Sequence, residues 1–122
     1  MPTRRPDPAA ITAVAALLAA GDEVPRDDMA EATRAVAAVL AARHPGATIE
    51  VRVPPFAAVQ VCALGGEGPT HRRGTPPNVV ELAPATMIRL AVGSLTWDDA
   101  VTSGLVRHSG AHASDVAKML PL

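Results

Sequence analysis

Aromatic side chains are almost absent from this sequence. They make up 2% of its 122 residues, as Phe56 and Trp97, and there is no tyrosine. Proteins that bind single-stranded nucleic acid stack the bases on several aromatic rings. The formal net charge is −1, so no strong positive field attracts a phosphate backbone either. We therefore expect no nucleic-acid partner.

Cysteine and long apolar runs are scarce as well. Cys62 is the single cysteine, which excludes an intrachain disulfide and is typical of a reducing cytoplasm, the location we predict. Without a CxxC partner, Cys62 is expected to be a buried structural thiol. The most apolar segment, residues 9–20, is shorter than the roughly 20 residues that span a bilayer. The start MPTRRPDP lacks the features of a signal peptide, so we expect no integral membrane association.

Small aliphatic residues are abundant instead. Hydrophobic residues make up 48% and charged residues 19% of the chain, which indicates one globular domain over residues 1–122. A core of Ala, Val, Leu, Ile and Met leaves room for an internal cavity, because methionine adapts to irregular gaps. We predict a mobile tail over residues 1–7, a helical pair over 8–46, and a sheet with further helices over 47–122.

The helical pair is predicted from apolar residues at helical spacing. The first helix ends at Gly21, and its stripe consists of Ile11, Val14, Leu17 and Leu18. For the second helix, Asp28 with Glu31 resembles a capping box, and residues 45–46 end it.

The period of the apolar residues then changes to two. Ile49, Val51 and Val53 alternate with polar residues and predict a half-buried strand. A second strand is predicted over residues 56–64 and a third, at the sheet edge, over 70–73. Strands joined by tight turns pair antiparallel, so the predicted fold is α+β, a single layer of mostly antiparallel sheet covered by helices.

The stretch 78–110 has the clearest signals for where helices and strands begin and end. It predicts a strand over 79–82, a helix from Pro84 to Gly93, a short helix opened by Thr96 with Asp99, and a strand over 105–109 with Arg107 exposed. A last helix is predicted over 111–120, and Asn78 is expected to cap a turn.

The segment ELAPATMIRLAVGSLTWDDAVTSGLVRHSG resembles the C-terminal half of sterol carrier protein-like domains. These typically read as a strand, a helix ending in Gly, a short helix with an acidic start, and a Gly-hydrophobic-basic-x-x-Gly strand. Upstream, VRVPPFAAVQ and HRRGTPPNVVE are similar to the compact actinobacterial branch of that family. The resemblance covers about residues 51–122. Ala83 departs from it, because the family often has a capping side chain there, which weakens the helix start by about 1 kcal/mol.

The resemblance implies non-catalytic binding or transfer of a lipid-like molecule, such as a fatty acyl chain, a sterol or an isoprenoid. In the family, helices and sheet enclose a lipid tunnel. The corresponding residues here are expected to be either ordinary core or the lining of an aliphatic cavity: Met87, Ile88, Ala91, Val92, Trp97, Val101, Val116, Met119 and Leu120. No cofactor is implied.

Arg72 and Arg73 lie beside the rigid sequence Thr-Pro-Pro. A guanidinium group matches a carboxylate or phosphate in a forked pair, so these two arginines are candidates for binding a ligand headgroup. Alternatively, they are solvated charges on an edge strand, paired with Glu50 or Glu67, that prevent aggregation.

Two other function classes stay open. Related domains occur fused to bacterial enzymes such as mycothiol-dependent isomerases and acetyltransferases, so this chain is alternatively an accessory module that forms a homodimer or supports a partner enzyme. An enzyme would need a histidine, His71, His108 or His112, to converge on the arginines. No GxSxG motif is present. His108 and His112 are separated by Gly110 and do not have the context of a metal site, so we expect surface histidines and no bound metal.

Overall fold

The computed structural model describes residues 6–64 and 77–122. The predicted edge strand over 70–73, with Arg72 and Arg73, lies outside these residues, as does most of the predicted N-terminal tail. Both therefore stay predictions.

The predicted helical pair is present. Helix α1 spans Ala9–Ala20 and ends at Gly21, whose φ of 75° is the left-handed conformation that glycine adopts at least cost. Helix α2 spans Arg26–Arg43. The predicted capping box of Asp28 and Glu31 is wrong, because Pro25 has an extended backbone and puts the first helical residue at Arg26. Asp28 lies inside the first turn, where its carboxylate complements the helix dipole.

Within the described residues, four strands form one sheet in the order β2-β1-β3-β4. They are β1 (Pro45–Val53), β2 (Ala57–Val61), β3 (Asn78–Leu82) and β4 (Val106–Ser109). The β1–β2 and β3–β4 pairs are antiparallel, which confirms the mostly antiparallel sheet. The β1–β3 pair is parallel; these two strands are not successive in the chain, so the prediction for strands joined by tight turns does not apply to them. The long connection between β2 and β3 allows β3 to pair with β1 where a tight turn would not.

One face of the sheet is covered by helices, and the core lies between them. Alternate residues of β1, Ile49, Val51 and Val53, are at most 1% exposed, as the period of two predicts. Val80 in β3 and Leu40 in α2 belong to the same continuous hydrophobic cluster. On the opposite face, the β1 residues Glu50 and Arg52 are partly exposed.

After β3, the helices begin and end close to the predicted residues. Helix α3 spans Pro84–Val92 and ends at Gly93, and helix α4 spans Trp97–Thr102. The last predicted helix forms as a 3₁₀ helix, Ala113–Met119.

Asn78 joins three elements and does not merely cap a turn. Its side chain is buried, and Nδ2 donates a hydrogen bond to the carbonyl of Thr48 in β1 at 3.0 Å. Its Oδ1 accepts the backbone N–H of His112, at the start of the 3₁₀ helix, at 2.8 Å. The buried Asn78 amide therefore helps to hold the 3₁₀ helix against the sheet, together with the Asp115 carboxylate, which accepts the backbone N–H of Leu64 at 3.1 Å.

Candidate functional site

A pocket of about 230 Å³ lies where the end of α3, the start of α4 and the 3₁₀ helix meet. Its walls are almost entirely apolar, and none of the lining residues is charged. They are Leu90, Gly93, Leu95, Thr96, Trp97, Ala117, Leu120 and Pro121.

The turn between α3 and α4 forms one wall of this pocket. Gly93 has a φ of 81°, and the next residue, Ser94, donates its backbone N–H to the carbonyl of Arg89 at 3.0 Å, which closes the helix end. The Thr96 hydroxyl oxygen then accepts the backbone N–H of Asp99 at 3.1 Å, as predicted for a helix cap. The two caps fix the turn that carries Leu95 into the pocket.

The C-terminal segment forms the opposite wall. The backbone N–H of Leu122 donates to the carbonyl of Ala91 in α3 at 2.9 Å. This bond holds Leu120 and Pro121 alongside α3, where both line the pocket. The pocket is thus the space between the α3–α4 turn and the C-terminal strap, the segment of residues 120–122 that runs alongside α3.

Trp97 borders the pocket and also contacts a strand. Its indole is partly buried, and its ring centroid lies 6.1 Å from that of His108 in β4, with the planes tilted by 45°. This separation is within the range at which aromatic rings attract each other. His108 does not line the pocket, so it contacts the indole from outside.

The family model described as bacterial SCP ortholog matches residues 25–122. The chain belongs to this sterol carrier protein-like family. The match begins after α1 and includes every strand and the whole pocket, so it confirms both the resemblance and the α+β fold. No curated protein matches the sequence.

The predicted lining residues of this sterol carrier-like chain separate into two groups. Trp97 and Leu120 line the pocket. Five others belong to the packed core, each at most 3% exposed: Met87, Ile88, Ala91, Val116 and Met119. Val101 packs at the margin of the same core. A cavity walled by these core residues stays a prediction.

Val92 was expected on the inward face of α3. This prediction is wrong, because Val92 is 43% exposed. The buried arc of α3 is centred near Met87 and Ala91. Successive residues of an α-helix are rotated by about 100°, so Val92 is carried round to the outer side of the helix.

Several lining residues were missed from the sequence. Leu90 and Leu95 flank Gly93, and Pro121 follows the last helix. A prediction from apolar residues at helical spacing considers one helix at a time. It therefore overlooks residues in the turns between helices. The available signal was the pair of large apolar side chains on either side of a helix-ending glycine.

The charged residues near the sheet pair locally. The Glu50 carboxylate accepts a hydrogen bond from Arg52 Nε on the same strand, and this bond raises the pKa of Arg52 above its ordinary value. Glu50 therefore has an arginine partner on its own strand, and its pairing with Arg72 or Arg73 stays a prediction.

His108 and His112 are both exposed, as predicted. His112 Nδ1 lies 3.6 Å from Asp115 Oδ2. Within residues 6–64 and 77–122, no three metal-ligating side chains converge. Cys62 is half-buried, where a fully buried thiol was expected. In the same part of the chain, no helix combines the length and the apolar composition of a membrane span.

Proposed function

We propose that this chain binds a lipid-like apolar molecule non-covalently, with an aliphatic end of the ligand in the pocket at Trp97 and Leu120. The observation that carries the proposal is an uncharged, apolar pocket in a chain of the sterol carrier protein-like family. The ligand classes we consider are fatty acyl chains, sterols and isoprenoids.

The size of the pocket limits what enters it. Sites that enclose a whole drug-sized ligand have volumes of about 300–1,000 Å³, and this pocket has about 230 Å³. We therefore propose that the pocket takes one end of a longer chain. Burial of about four methylene groups contributes about 3 kcal/mol, which on its own corresponds to a dissociation constant of a few millimolar, so we propose that binding is weak and reversible.

The chemistry of the lining supports carriage without catalysis. The pocket walls supply no carboxylate, histidine or cysteine that could act as a general base or nucleophile. Its one hydroxyl, on Thr96, already accepts the helix-capping hydrogen bond. An ionised headgroup would lose hydration inside such walls without gaining a partner, so we propose that the headgroup stays in solvent.

Trp97 provides a direct test. It is the only tryptophan, and the chain has no tyrosine, so its emission reports this site alone. Titration with dodecanol or dodecanoate should give a saturable change in Trp97 emission. Ala117→Phe should fill the pocket and weaken this response at least tenfold, whereas Ala38→Phe, on the exposed side of α2, should not. Equal binding by both variants, or no saturable response in the wild type, would exclude this site.

The alternative of an accessory module has less support. Val92 and Leu105 are large apolar side chains, each 43% exposed, but Val92 ends α3 whereas Leu105 lies in the loop before β4. Single exposed apolar residues are ordinary features of a protein surface. A homodimer or a partner enzyme therefore stays a prediction, which sedimentation of the pure protein would test.

A further inference from the structure

We infer that His108 is a positioning residue for the apolar pocket: its imidazole holds the Trp97 indole in the orientation that forms a pocket wall. The inferred effect on ligand binding rests on the proposed function, whereas the effect on Trp97 itself does not. His108 would act through Trp97, because it does not line the pocket.

The two rings are carried by different elements. His108 lies on β4 and pairs in register with Val80 of β3, so the sheet fixes its backbone. Trp97 is the first residue of α4, a helix of six residues. The indole is partly buried and packs against the core on one side. The contact with His108 therefore links the indole to a ring whose backbone the sheet fixes.

The empty volume of the pocket favours rotation of the Trp97 side chain into it. Unfilled apolar volume lies beside the indole, and a side chain that rotated into this volume would gain the contacts that an empty space lacks. The ring contact with His108, at 6.1 Å between centroids, favours the orientation that leaves the pocket open. Attraction between such rings changes the ratio of two orientations by about two- to tenfold.

The surroundings of His108 leave its ring available for this contact. Its strand neighbours Arg107 and Ser109 point to the opposite face of the sheet, since side chains alternate along a strand, and Arg107 pairs in register with Glu81 there. Within residues 6–64 and 77–122, the His108 side chain forms no hydrogen bond or ion pair that would compete with its ring contact to Trp97.

The first measurement uses the ligand-free protein. His108→Ala should lower the steady-state anisotropy of Trp97 emission and change its quenching by acrylamide, because the indole then samples other orientations. His108→Phe keeps a ring at this position and should restore wild-type values. His112→Ala is the matched control, an exposed histidine outside the ring pair. Unchanged anisotropy in His108→Ala, or failure of His108→Phe to restore it, would overturn the inference.

The second measurement adds dodecanol. His108→Ala should raise its dissociation constant about two- to tenfold, and His108→Phe should bring it back to the wild-type value. Dodecanol binding that is the same in all variants, despite altered anisotropy, would overturn the role in ligand binding. If the wild type does not bind dodecanol while the anisotropy changes as expected, the proposed function fails and the positioning of Trp97 by His108 stands.

Discussion

His112 donates its backbone N–H to Asn78 Oδ1 at 2.8 Å, and this bond attaches the 3₁₀ helix to the sheet. Asn78 is 3% exposed, and its Nδ2 donates to the Thr48 carbonyl at 3.0 Å. Both groups that it satisfies lie away from its own strand. The 3₁₀ helix carries Ala117 in the pocket wall, so the position of the pocket depends on this amide.

Asn78→Ala should lower the free energy of unfolding by about 2–4 kcal/mol, because it leaves the buried Thr48 carbonyl and the part-buried His112 N–H without their partner. Asn78→Asp should cost at least as much near neutral pH, since its buried carboxylate still accepts from His112 but faces the Thr48 carbonyl oxygen with no proton to donate. Urea denaturation followed by circular dichroism measures both variants. A loss below about 0.5 kcal/mol for Asn78→Ala, typical of a surface change, would contradict this role.

Gly110→Ala should destabilise the fold more than an ordinary glycine replacement. The φ of Gly110 is 99°, and an added Cβ would lie 2.5 Å from the Pro77 carbonyl oxygen and also collide with Asn78. Gly104 is the matched control, with a φ of 74° and nothing within 4 Å of such a Cβ. Gly104→Ala should cost about 1 kcal/mol from backbone strain alone.

The difference between these two alanine variants measures the collision at Gly110. We expect Gly110→Ala to cost at least about 2 kcal/mol more than Gly104→Ala in thermal or urea denaturation, as overpacking does in a tight interior. An equal loss of stability in the two variants would show that the backbone around Asn78 shifts to accommodate the added Cβ at little cost in free energy.

Thr33→Val should stabilise the protein. The Thr33 side chain lies fully buried in α2, and its hydroxyl oxygen has no hydrogen-bond partner within the described residues. A methyl group of similar shape removes the cost of burying that hydroxyl, so we expect a gain of about 1 kcal/mol. Thr12→Val, on the exposed side of α1, should stay within about 0.5 kcal/mol of wild type. A loss of stability in Thr33→Val would mean that the hydroxyl is hydrogen-bonded in solution.

Local signals in the sequence predicted much of the fold. Gly93 and Thr96 act as the expected caps, and the period of two in β1 matches its buried face. The predicted capping box at Asp28 failed because Pro25, three residues earlier, sets the helix start. The pairing of β3 with β1 was not predictable in the same way, because a long connection does not encode which strand the chain returns to.

The candidate site was harder to predict because three separate segments form it. Leu95 comes from a turn, Ala117 from the 3₁₀ helix and Pro121 from the C-terminal strap. The amphipathic pattern instead selected Met87 and Ile88, which are buried for packing. Periodicity in the sequence predicts which side chains are buried on folding. It does not predict where packing between helices and strands leaves an unfilled pocket.

The most direct test of the account is methyl NMR of the protein titrated with dodecanol. The account predicts saturable shift changes for the methyl groups of Leu90, Leu95 and Leu120 and for the Trp97 indole, which line the pocket. The core methyl groups of Ile88 and Val116 should change little. Changes concentrated on Ile88 and Val116, or no saturable change anywhere, would contradict the claim that this pocket receives the aliphatic chain.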